Sequence, residues 1–149
     1  MLNLKNKQST KTMRFLKMLL LLLVPSPIVV PAIVYSQGHP CKRAAVSLRG
    51  DLDVVMNRGG MWALMEQTEG LQDKSMIGIQ ADGKLARLVG KFETMCEGEK
   101  KPTKQLFDAI TNLLGNARTI WNPGASGEKI VKSINELNKK AGSMLKTIK

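Results

Sequence analysis

Residues 18–37, MLLLLLVPSPIVVPAIVYSQ, decide which part of this chain can share a core. Lys5, Lys7, Lys11, Arg14 and Lys17 precede the run with no acidic residue among them, and small residues stand at Val34 and Ser36. A positive stretch, an apolar block and a small-residue cut site, in that order, are the layout of a secretory signal. Cleavage is expected after Ser36, which makes residues 1–36 a signal peptide and residues 37–149 the folding domain. The rival is a retained span, which needs about 20 mostly apolar residues in one helix. Pro25, Pro27 and Pro31 argue against it, since each removes a backbone donor and costs a helix interior roughly 3 kcal/mol. Either way the positive flank stays in the cytoplasm and the domain is delivered to the other side, periplasmic or secreted.

Past the leader, apolar residues recur at steps of three and four. Ile130, Ile134, Leu137, Ala141, Met144 and Ile148 form the cleanest stripe. Ser126 is placed to cap that helix, and Glu128 sits in its first turn where the helix dipole favours a negative charge. Thr103 is placed to cap the preceding helix, whose stripe is Leu106, Phe107, Ile110, Leu113, Leu114, Ala117 and Trp121. Asn122-Pro123-Gly124 ends it. Leu85, Leu88, Val89, Phe92, Met95 and Cys96 make another stripe, with a vague beginning because Gly78 and Gly83 weaken a helix there. The first helix has the stripe Leu48, Leu52, Val55, Met56, Trp62 and Met65, starts at Pro40 or Asp51, and is interrupted at Gly59-Gly60, which invites a kink or a close helix contact. Four amphipathic helices on short connections predict an all-α, up-down-up-down four-helix bundle.

That topology sets the start of the first helix beside the end of the second, and so predicts a Cys41–Cys96 disulfide, as an oxidising compartment allows. Closing a loop of that length stabilises by about 4 kcal/mol in the chain-entropy treatment. Of 23 Lys and Arg and 12 Asp and Glu, five basic and no acidic residues fall in the leader, so 18 against 12 remain, a net +6. This mildly basic balance carries no aromatic-interleaved nucleic-acid motif; it suits solubility, or attraction to an anionic partner or lipid headgroups. Lys129, Lys132, Lys139 and Lys146 lie opposite the apolar stripe of the last helix and are the candidate partner-binding residues. One His at a chain end assembles no catalytic triad or Cys/His pair, and no phosphate loop or zinc spacing occurs, so a non-enzyme is expected.

Two stretches resemble a known family. Asp51-Leu52-Asp53-Val54-Val55-Met56 is similar to the opening D-L-acid-x-x-Met of the soluble cytochrome b562 family, and residues 107–115 (FDAITNLLG), Gly124 and Leu137 follow its third and fourth helices. The likeness covers roughly residues 50–149. It implies haem b binding and one-electron transfer, with Met56 as an iron ligand and a redox or envelope protein as partner. The family's second ligand, a His near the end of the last helix, has Leu145 in its place, and Met144, one residue away, is the alternative ligand only if the helix turns by about 100°. A Met/His pair is what raises the potential of such a carrier. The second expectation is therefore a haem-free binding or adaptor protein, a monomer or weak dimer.

Two metal readings complete the inventory. Cleavage after Ser36 exposes Gln37-Gly38-His39, whose amine, amides and imidazole suit square-planar Cu(II) or Ni(II), against a simple solvated terminus around His39. Met61 and Met65, one turn apart, offer soft sulfur to Cu(I) or fill the core, the commoner use of such a pair.

Overall fold

The computed structural model describes residues 40–99, 101–122 and 124–148; the leader, its cut site and His39 lie outside them. Among the described residues the chain is all helical, with no strand. The helices are α1 (Pro40–Met56), α2 (Gly60–Gln67), α3 (Met76–Glu97), α4 (Lys104–Ile120) and α5 (Gly127–Thr147), with a 3-10 turn at Gln72–Lys74. None of them is long and apolar enough to cross a membrane.

The stripes expected from spacing bury as one continuous cluster. Leu48, Leu85, Leu88, Val89, Ile110, Leu114 and Ile134 are wholly removed from solvent, and Ile130 and Leu137 nearly so. Each such side chain contributes roughly 1.5–3 kcal/mol by leaving water. Local capping follows the sequence as well. The Thr103 hydroxyl accepts from the Leu106 N–H, and the Ser126 hydroxyl accepts from the Lys129 N–H. Each satisfies an N–H that has no partner inside its own helix.

The start of α1 lies beside the end of α3, joined by the Cys41–Cys96 disulfide across a Cα–Cα distance of 5.5 Å. Arg49 and Glu93 pair between the same two helices, and Arg118 of α4 pairs with Asp51 of α1. Phe92 and Phe107 meet with ring centroids 6.0 Å apart where α3 ends and α4 begins. Lys101, in the loop between them, donates to the Cys96 and Gly98 carbonyls at 2.8 and 2.9 Å. A cation there complements the negative end of α3.

The first helix is not simply kinked. α1 stops at Met56, and the chain turns through Gly59 and Gly60 at φ 86° and 69°, a region that L side chains rarely adopt. It then restarts as α2. The new axis re-aims the apolar face: Met61, Leu64 and Met65 go inside, and Trp62, expected in the core, is 46% exposed. Met61 and Met65 have no solvent contact at all, which is the behaviour of core methionines.

A carboxylate from another helix completes the restart. Gly59 offers no side chain to cap α2, and Asp82 of α3 accepts instead from the Met61 and Trp62 N–H groups at 2.9 and 3.1 Å. The Trp121 indole N–H donates to the Gly60 carbonyl at 3.0 Å. Burial pushes the Asp82 carboxyl above its ordinary value, and the two N–H bonds oppose that shift without cancelling it. Gly78 lets α2 and α3 approach this closely. A Cβ there would sit 2.6 Å from the Trp62 nitrogen and 2.7 Å from the Met61 carbonyl, both backbone atoms. That contact accounts for a glycine at position 78 inside α3, although glycine weakens a helix.

Two measurements check this junction. Gly78→Ala is expected to lower unfolding free energy by about 1–3 kcal/mol through overpacking. Gly83→Ala, on the same helix in open space, is expected to raise it by about 0.5–1 kcal/mol; urea denaturation of both reads the contrast. For Asp82, the folded state holds its proton more tightly than the unfolded chain, so its contribution is largest at low pH and declines as pH rises. The stability of the protein relative to Asp82→Asn should therefore fall as pH climbs from about 4, the ordinary aspartate value, through the raised one. A difference that grows over that window would contradict the assignment.

Candidate functional site

Helix α5 carries two kinds of residue on its non-core surface. Lys132, Lys139 and Lys146 recur at seven-residue intervals, and all are exposed, as is Lys129. Seven steps of about 100° return within about 20° of the starting direction, so the three lie along one line, roughly 21 Å long at 1.5 Å per residue. None of these four ammonium groups has a hydrogen-bond or ion-pair partner among the described residues.

The line sits next to α3 because of one buried polar residue. Asn138 is 7% exposed, and its amide donates to the Ile77 carbonyl at 2.8 Å while its side-chain oxygen accepts from Lys84 Nζ at 2.9 Å. Every polar atom of a buried Asn must be matched, so this pairing fixes the register of α5 against α3. Lys84 is drawn to the α5 side, where its Cε and Nζ pass 3.8 Å from where a Cβ on Gly142 would lie. Further along, Lys91 Nζ donates to the Ile148 carbonyl at 2.9 Å, a cation on the negative end of α5. The two contacts run in the same sense, so α3 and α5 lie side by side in parallel.

Arg87 is three residues after Lys84 and four before Lys91, hence on the same face of α3, and it is exposed. Six cations, Lys84, Arg87 and Lys91 from α3 and Lys132, Lys139 and Lys146 from α5, therefore share one two-helix wall. Lys84 and Lys91 bond to uncharged oxygens, so their charge is not neutralised. Two acidic residues of α5 border the wall. Glu128 belongs to the first turn, and Glu136 lines a groove of about 210 Å³ between α4 and α5 together with Asn116, Thr119, Ser133 and Lys140. The α5 half of this wall is legible in the sequence. The α3 half is not, because Lys84, Arg87 and Lys91 join it only through the packing that Asn138 sets.

The other sequence candidates fall elsewhere. Met56 lies in the last turn of α1 and Met144 in α5, both half-buried at the margin of the hydrophobic core; Leu145 beside Met144 is half-buried too. The residues present do not fit the haem implied by the resemblance. The donors are two thioethers, and the histidine's place holds a hydrocarbon. Met56 ends α1 far from Cys41, while Met144 lies near the end of α5, toward the end of α3 that Cys41 joins, so the two sulfurs belong to opposite ends of the helices. Among the described residues no three His, Cys, Asp or Glu gather as a metal site.

Comparison with protein-family models, with curated proteins and with solved structures found no match to this chain.

Proposed function

We propose that this chain is an exported, haem-free binding protein whose α3–α5 wall meets an anionic partner. One observation carries the reading: Arg87, Lys132, Lys139 and Lys146 are exposed on two adjoining helices, the half-buried Lys84 and Lys91 lie between them, and none of the six is paired with a carboxylate. A wall of this kind attracts polyanions through its summed field, and it needs no cofactor to do so.

The scaffold in this reading is an up-down-up-down four-helix bundle in which α1 and α2 together occupy the first position. Its support is the set of pairings between helix ends: Cys41 with Cys96, Phe92 with Phe107, and Lys91 with Ile148. Export through the leader, with cleavage after Ser36, is the companion proposal. The Cys41–Cys96 bond supports it, because such bonds persist in oxidising compartments. The competing reading, a haem-linked electron carrier, has in its favour the half-buried thioether of Met56 at the core's edge.

Two experiments test these statements. The variant Lys129→Gln/Lys132→Gln/Lys139→Gln/Lys146→Gln is expected to bind an immobilised polyanion such as heparin at least tenfold more weakly at about 0.15 M salt. An equally charged control, Lys42→Gln/Arg43→Gln/Arg58→Gln/Lys74→Gln, should bind nearly as the unmodified protein does. Equal losses would mean that net charge alone is at work, and the wall would have no special role. Adding haem should produce no Soret band; a band abolished by Met56→Ala would instead establish the carrier.

A further inference from the structure

The anionic partner can be narrowed by what adjoins the wall. Met76 is 60% exposed and Ile79 is 46% exposed, both in the first turns of α3. Met76 and Arg87 are eleven residues apart, which at about 100° per residue brings them within about 20° of one line along the helix. Ile79 follows Met76 by three residues, and so neighbours it on the surface. The cations of the wall thus continue into two exposed large apolar side chains near the start of α3.

Cations beside exposed apolar residues, on a broad face built from parallel helices, are the requirements of a bilayer surface. The exposed groups of Arg87, Lys132, Lys139 and Lys146 reach lipid phosphates. Met76 and Ile79 enter the boundary between headgroups and acyl chains. A nucleic acid backbone would satisfy the cations and leave those apolar groups in water, and no aromatic array is interleaved with the cations to stack on bases. We propose that the α3–α5 wall and its apolar edge dock this protein on a membrane containing anionic phospholipid. This rests on the reading of the wall as an anion-binding face and names the partner that reading leaves open.

Vesicle sedimentation of the protein recovered after export tests it, using phosphatidylcholine alone and phosphatidylcholine with an equal amount of phosphatidylglycerol. Binding is expected only to the mixed vesicles, and it should fall steeply as salt is raised. Arg87→Gln/Lys139→Gln takes one exposed cation from each helix and should weaken binding by about fivefold per cation removed. Met76→Ser/Ile79→Ser should weaken it further with the charge unchanged. Equal binding to both vesicle types would overturn the proposal, since it would report apolar adsorption alone. Charge-dependent binding that ignores Met76→Ser/Ile79→Ser, and is matched by duplex DNA, would overturn it in favour of a nucleic acid. Absent vesicle binding alongside a retained heparin contrast would remove the lipid assignment and leave the anion-binding face standing. Loss of both would remove the two together.

Discussion

Helix α3 is the element against which the rest of the molecule is held. Its aliphatic stripe, Leu85, Leu88, Val89 and Phe92, is buried by the other helices, and each of its flanks carries one polar device that orients a neighbour. On one flank Asp82 binds the first N–H groups of α2 and Gly78 removes the side chain that would keep α2 away. On the other flank Lys84 and the Ile77 carbonyl engage the buried Asn138 of α5. Apolar burial supplies most of the driving force but is indifferent to register. The hydrogen bonds are less forgiving, because an unmatched buried polar group costs about 1–3 kcal/mol.

The two flanks serve different ends. The Asp82 side is structural: a half-buried carboxylate stands in for the cap that the Gly59-Gly60 turn cannot supply, at the expense of a raised proton affinity. The Asn138 side determines a surface. By fixing α5 parallel to α3, it lays three cations of one helix beside three of the other and creates a charged face that neither helix possesses alone. Lys91 contributes twice, since its ammonium group serves the end of α5 and remains uncompensated by any carboxylate. The disulfide between Cys41 and Cys96 acts at the far end of α3, where it pins the start of α1 by a covalent bond.

Much of this was readable before any coordinates. The helical class, the caps at Thr103 and Ser126, the Cys41–Cys96 pairing and the exposed lysines of α5 follow from spacing, residue chemistry and the short connections between stripes. Trp62 went astray because a 3.6-residue period assumes one continuous axis, and the left-handed backbone at Gly59 and Gly60 starts a second one. Gly78 looked like a weakness for the helix that contains it, and a sequence has no way to display the backbone atoms that would meet its missing Cβ.

What the sequence determined by itself is local: where helices begin, which face of each is oily, and which is basic. Those properties depend on residues within one or two turns, so a linear string contains them. Only the tertiary structure decided that Asp82 caps a helix about twenty residues away, and that Lys84, Arg87 and Lys91 share a wall with Lys132, Lys139 and Lys146. Both outcomes require two helices to meet at a given register. That register is set by side-chain volume and by the matching of a few buried polar atoms, neither of which leaves a periodic mark along the chain.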